Sequence, residues 1–125
     1  MQESIFKKYP NADISGSIVW LPILQKDSLE NAVNSAKVFN DDRIEHFYDT
    51  NRIVGKSIAG SVGWPGKVAW DIYLFYNQNV NWNEEPPNPD HWMHQLKDDW
   101  STKKRYRTGD DLKNELSDSM RKLLI

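Results

Sequence analysis

Hydrophobic spacing changes repeatedly along this chain, and each change marks a predicted element. Ile5, Phe6 and Tyr9 fall on one side of a helical turn, with Glu3, Lys7 and Lys8 opposite, predicting a helix over residues 1–9 that Pro10 stops. Residues 14–24 read as a strand, continuously apolar at Ile18-Val-Trp-Leu21 and therefore expected in a sheet interior, with Pro22 at its end. Asp27 and Glu30 have the spacing of a capping box, and Leu29, Ala32, Val33, Ala36 and Phe39 continue at helical intervals. In residues 43–49 Ile44, His46 and Tyr48 alternate with Glu45 and Phe47, the period of a strand. Asp49-Thr-Asn51 is turn and cap chemistry, leading to a helix over residues 52–59 with Ile53, Val54 and Ile58 expected inward. Gly60, Gly63, Pro65 and Gly66 then break the chain.

The most informative stretch follows. Eight of the nine residues in Val68-Ala-Trp-Asp-Ile-Tyr-Leu-Phe-Tyr76 are apolar or aromatic, as in a strand covered on both faces. Asn77-Gln-Asn79 should turn it, with residues 80–82 as an antiparallel return. Residues 84–89 carry three prolines and form a rigid connector, after which Asp90 is expected to cap one turn containing His91-Trp-Met-His94. Residues 97–107 have no clear period and are read as loop. Leu112, Leu116, Met120, Leu123 and Leu124 stripe a final helix over residues 110–124, with acids near its start and bases near its end, as the helix dipole favours. Strands alternating with helices predict a single α/β domain spanning residues 1–125, with parallel pairing among the early strands.

Composition narrows the chemistry. The chain has no cysteine, so its own side chains offer no disulfide, no thiolate nucleophile and no sulfur ligand for a metal. A net charge of −2 gives no general attraction to nucleic acid, and no apolar run approaches a membrane-spanning length. Residues 1–8 are amphipathic and lack the apolar core of a signal peptide. Six tryptophans imply a bulky core or, alternatively, an aromatic recognition surface.

Other constellations are weaker. His91 and His94 at i, i+3 could share a metal if they lay on one helical turn, although no third ligand is nearby in sequence. Asp71, within the most apolar stretch, must be hydrogen-bonded, shifted in pKa, or placed where the strand reaches the surface. Lys103-Lys-Arg-Tyr-Arg107 is basic but short and bracketed by Asp98, Asp99, Asp110 and Asp111, so it reads as a solvated loop rather than a nucleic-acid surface. Gly60, Gly63 and Gly66 have an attractive spacing but lead into a strand, not into a phosphate-binding helix N-terminus.

The ordered pieces resemble the thioredoxin-like superfamily, nearest its reductase and peroxiredoxin-like branch. The pieces are the apolar strand of residues 17–24, the helix from Ser28, the strand ending in Asp49-Thr-Asn51, the helix of residues 52–59 and the apolar strand of residues 69–76. Val68–Tyr76 and Pro86-Pro-x-Pro-Asp-x-Trp-Met-His-Gln95 are also similar to a group of bacterial thioredoxin-like proteins. The resemblance covers residues 1–96, followed by a 97–109 loop and a generic helix. It implies a thioredoxin-like α/β/α sandwich with a mixed sheet, incomplete at its N-terminus. The Cys-x-x-Cys motif of that superfamily, with the central strand before it, would precede Met1. Pro65 is the nearest candidate for the family's cis-proline but stands too far from the following strand to be assigned that role.

Two origins are expected to compete: a truncated reading frame with a cysteine or selenocysteine motif upstream, or a domain that has lost the motif. In a domain that has lost it, the flanking strands are expected to pair directly or to borrow a strand from a second copy; otherwise two interior strands keep rows of unpaired backbone groups, at about 1–3 kcal/mol for each buried group, which favours self-association into homo-oligomers. The leading functional expectation is a non-catalytic thioredoxin-like domain without a cofactor, binding a protein or peptide around Trp64, Pro65, Trp70 and Asp71. The alternatives are a C-terminal fragment of a thiol–disulfide oxidoreductase and, third, a metal-binding module on His91 and His94.

Overall fold

A computed structural model describes residues 5–21, 33–34, 37, 41–78 and 86–124. Its elements are β1 (Gly16–Trp20), β2 (Ile44–Tyr48), α1 (Ile53–Ser61), β3 (Ile72–Phe75), β4 (His91–His94), a 3-10 turn (Lys103–Arg105) and α2 (Gly109–Leu123). The content is mixed α/β, as the alternation of periods implies. The expected helix over residues 27–39 and the return strand of residues 80–82 lie wholly or largely outside the described residues.

β1 and β2 pair in parallel, with Gly16 opposite Ile44 and Trp20 opposite Tyr48. β2 alternates as its sequence does: Ile44 is buried while Glu45 and Phe47 face outward. β3 and β4 pair antiparallel, with Ile72 opposite His94 and Phe75 opposite His91. Among the described residues these are two separate two-stranded sheets rather than one continuous sheet. Residues 91–94, expected as a capped turn, are thus a strand. The Asp90 carboxylate instead accepts hydrogen bonds from the Asn77 backbone N–H (2.8 Å) and side-chain amide (3.1 Å), joining the two strands at the end where the connecting segment leaves β3 and enters β4.

β3 explains why its sequence is apolar in both registers. Tyr73 and Phe75 pack with Met93 into one cluster, completed by Ile5, Phe6, Ile44, Leu112, Leu116 and Met120. Ile72 and Leu74 pack with Trp92 into a second, around Ile58, Ala59, Trp64, Ala69 and Leu96. Side chains alternate across a strand, so a strand between two cores must be apolar at every position. The strand is shorter than the nine-residue apolar stretch suggests. Asp71 adopts the left-handed conformation (φ +48°), which ends the extended run before Ile72. Its side chain is exposed, and desolvation on one side raises its carboxyl above the usual range. Glycine adopts that backbone without strain, so Asp71→Gly should raise stability by up to about 1 kcal/mol in urea titration.

At the far end of β3, burial and then the charge of Asp90 push the Tyr76 hydroxyl up to about 12. A proton held more tightly in the folded than in the unfolded chain stabilises folding below the unfolded value near 10, and that stabilisation is lost as pH rises through about 12. The urea midpoint of the native chain should therefore fall over this alkaline window more steeply than that of Tyr76→Phe.

α1 is entered through Asp49, whose carboxylate accepts from the backbone N–H groups of Ile53 (2.9 Å) and Gly55 (3.1 Å), satisfying two donors that the first turn leaves without partners. Its inward face differs from expectation. Gly55, Ile58 and Ala59 are buried, whereas Ile53 is 63% and Val54 36% exposed. Gly55 decides this face, because a Cβ there would lie 2.6 Å from Leu21 Cδ2, 2.7 Å from Val68 Cγ1 and 3.2 Å from the Ala69 carbonyl. The helix approaches residues 68–69 through a missing side chain, and the Gly55 carbonyl accepts the Ala69 N–H at 2.9 Å. Even alanine would press on the stiff Val68 side chain and the Ala69 carbonyl, which opposes its gain in helix propensity. Gly55→Val should cost about 1–3 kcal/mol by overpacking, read from the denaturation midpoint. α2 buries Leu112, Leu116 and Met120 as its stripe predicts, but leaves Leu124 exposed.

Candidate functional site

The C-terminus of α1 places the central aromatic ring. The Trp64 N–H reaches back to the Ala59 carbonyl (2.7 Å) and the Gly63 N–H to that of Gly60 (3.4 Å), with Gly63 at φ +85°. This is a Schellman closure, in which the residue two beyond the cap packs back on the last turn. A second turn follows: the Lys67 N–H bonds to the Trp64 carbonyl (3.2 Å), with Pro65 second and Gly66 third at φ +79°. Proline followed by a positive-φ glycine is the type II turn signature. These two turns drive the indole of Trp64 inward and leave Pro65 outside.

Trp64 is 2% exposed, and three rings stand T-shaped to it: Trp92 at 5.5 Å, His94 at 5.1 Å and Trp100 at 5.3 Å between centroids. Its indole N–H donates to Thr102 Oγ1 (3.0 Å). Edge-to-face contact of this kind adds to simple burial, since the positive ring edge meets a negative face. Trp70, Trp92 and Trp100 pack on the same cluster but remain half-buried. Two cations stand over two of them. Arg105 lies 4.9 Å from the Trp92 ring centroid and Lys67 lies 5.7 Å from that of Trp100.

His94 is fully buried, and its two ring nitrogens have different partners. Nε2 lies 2.6 Å from the Thr102 carbonyl, which can only accept, so Nε2 carries the proton. Nδ1 accepts the Leu96 N–H at 3.0 Å. The ring is therefore held as a neutral structural bridge with no lone pair free for a metal. His91 stands three positions away on a strand, which puts it on the opposite face of the sheet. The shared-turn arrangement considered for this pair is thus replaced by two imidazoles on separate faces. Among the described residues, no group of three or more His, Asp or Glu side chains could hold a metal ion.

Thr102 joins these pieces, accepting from His94 at its carbonyl and from Trp64 at its hydroxyl. Ser101, also buried, donates to the Leu96 (3.1 Å) and Asp98 (2.6 Å) carbonyls. Arg107 N–H bonds to the His94 carbonyl (2.9 Å), and Tyr106 forms a parallel bridge with His94. Residues 97–107, read as loop for want of a clear period, are consequently a braced loop around the 3-10 turn. A cavity of about 320 Å³ opens beside it, lined by Leu96, Lys97, Asp98, Ser101, Lys103 and Tyr106.

Of the four surface candidates, the structure brings Trp64 and Trp70 into one cluster and leaves Pro65 and Asp71 exposed. The Trp64 ring itself is buried, because the Schellman closure turns it inward, so of these two rings Trp70 is the one that keeps contact with solvent. Trp92 and Trp100 take the half-exposed positions, and neither stood out among the six tryptophans in sequence. No family model, curated protein or solved structure matches the chain. No described helix is long and apolar enough to cross a membrane.

Proposed function

We propose that this chain is a non-catalytic binding module that takes a protein or peptide segment on the half-buried tryptophans surrounding Trp64. A thioredoxin-like fold is our reading of the scaffold, supported by the order of parallel β1 and β2, α1 and the apolar strand β3. Without cysteine, the chain's own side chains supply no thiol–disulfide exchange. The observation that carries the binding reading is the placement of Trp70, Trp92 and Trp100 around one buried ring, with part of each side chain open to solvent. Tryptophans anchored on a rigid core lose little entropy on contact and dominate many protein interfaces.

The test is a nitrogen-15 spectrum of the folded chain titrated with short peptides of acidic, basic and apolar composition. Binding should move the indole N–H signals of Trp92 and Trp100, and Trp100→Ala should weaken it on the order of tenfold, the loss of one aromatic anchor. If no peptide moves any indole signal, the reading fails.

A further inference from the structure

We propose that the segment taken up is acidic and carries an apolar anchor, the anchor entering the cavity beside Tyr106 and the carboxylates meeting Lys97, Lys103 and Lys104. This rests on the binding-module reading and adds the chemistry of the partner.

Residues 97–107 carry five basic and two acidic side chains in a chain whose net charge is −2, so positive charge is concentrated here against an acidic remainder. The basic residues divide into two groups. Arg105 is committed to the Trp92 ring and carbonyl, and Arg107 donates to the carbonyls of Lys104 and Tyr106. Lys97, Lys103 and Lys104 are exposed, and among the described residues none of the three lies within ion-pair distance of a carboxylate. Three unpaired ammonium groups thus stand on a loop that Ser101, Thr102, Trp64 and His94 hold in place.

Lys97 and Lys103 belong to the cavity lining, with Leu96 and the half-buried Tyr106 as its apolar part. The cavity is an open depression of about 320 Å³ rather than an enclosed hole, so an apolar anchor would rest against Leu96 and Tyr106 with its far side toward the lysines. Asp98 shares the lining, and Asp99 follows it. A continuous polyanion would have to pass these carboxylates, whereas a peptide can space its own carboxylates around them. Charge complementarity therefore favours an acidic peptide over a nucleic-acid strand, which needs a broad, uninterrupted basic surface.

The experiment is a fluorescence-anisotropy titration of the full chain. The probe is a fluorescein-labelled peptide of glutamates interrupted by one leucine and one phenylalanine. Comparison probes are a glutamine-for-glutamate analogue, a serine-for-apolar analogue and a single-stranded oligothymidylate. The acidic peptide should bind, with each analogue and the oligonucleotide weaker on the order of tenfold or more, and with affinity falling as salt rises. The exposed double reversal Lys97→Glu with Lys103→Glu should abolish the preference for glutamate over glutamine without altering circular dichroism, and Tyr106→Ala should weaken only probes that carry apolar residues. Equal binding of the glutamine analogue would overturn the proposal while leaving the binding module standing. Tighter binding of the oligonucleotide, or indifference to the double reversal, would also overturn it. Failure of every peptide, here and in the indole titration, would remove both readings together.

Discussion

Trp64→Ala should bring the chain to the edge of unfolding, with a loss of about 3–5 kcal/mol in urea denaturation. A domain of this size has a total stability on the order of 5–15 kcal/mol, so the loss takes a large share of it. The reason is the number of structures that meet at this ring. It fills the contact among Trp92, His94 and Trp100, its N–H satisfies Thr102, and its backbone closes α1. Removing the indole leaves a cavity on which three aromatic groups cannot easily collapse, because each is held elsewhere. Trp92 is clamped by Arg105, His94 by two hydrogen bonds, and Trp100 by its covalent place beside the buried Ser101. Trp64→Phe should lie between, keeping most of the apolar area and losing a hydrogen bond of about 1 kcal/mol. Near-ultraviolet circular dichroism, which reports fixed aromatic packing, should collapse in the alanine variant and only diminish in the phenylalanine variant. A Trp64→Ala chain as stable as the native one would show that the aromatic cluster is not the second core.

Periodicity reads those parts of the fold whose structure is decided locally. The alternation in residues 43–49, the stripe of α2, the capping carboxylate of Asp49 and the break at Gly63 and Gly66 each express a constraint acting within a few residues. β1 and β2 pair in parallel, as expected for early strands joined by a segment long enough for a crossover. Residues 91–94 went the other way because their strand character comes from β3, which lies distant in sequence, and nothing in Asp90-His-Trp-Met-His94 itself distinguishes a strand from a turn. The face of α1 was missed for a different reason. Large apolar residues such as Ile53 and Val54 attract attention, but the closest helix contact is made through Gly55.

The candidate site was legible only in outline. The tryptophan load and the Gly/Pro turn pointed to the region around residues 63–70. Which rings are buried and which are half-exposed depends on the Schellman closure, and the buried role of His94 depends on Leu96 and Thr102. The strand character of β4 shows only in its contacts: the adjacent Met93 and Trp92 enter different clusters, Met93 the first and Trp92 the second.

Arg43 is the residue whose importance sequence conceals most, and its replacement should detach the N-terminal segment from the rest of the chain. All five guanidinium N–H groups are used. Nε donates to Asp41 Oδ1 (2.9 Å), one terminal nitrogen to the carbonyls of Tyr9 (2.9 Å) and Ala12 (3.0 Å), and the other to Asp41 Oδ2 (2.7 Å) and the Phe6 carbonyl (3.0 Å). The guanidinium also lies 5.0 Å from the Phe6 ring centroid. Phe6 and Ile5 are core residues, so this fork fastens the turn that delivers them to the first cluster. The Asp41 carboxylate keeps the fork in plane. Hydrogen bonds from the Arg43 side chain and backbone hold its pKa down at about 2, so its contribution is present above the ordinary value of 3.8 and is lost as pH falls through about 2. Arg43→Lys has three donors on a single point and cannot span these carbonyls, so it should behave nearly as badly as Arg43→Ala. Limited proteolysis reads the effect directly. Lys7 and Lys8 are exposed trypsin sites on the fastened segment, and their cleavage should accelerate on the order of tenfold or more in both variants, with α2 still protected. Lowering the pH toward 2 should loosen the same segment in the native chain before it affects Arg43→Ala further, as seen in amide exchange of residues 6–12. Unchanged cleavage in the variants would mean that Ile5 and Phe6 hold the segment by packing alone.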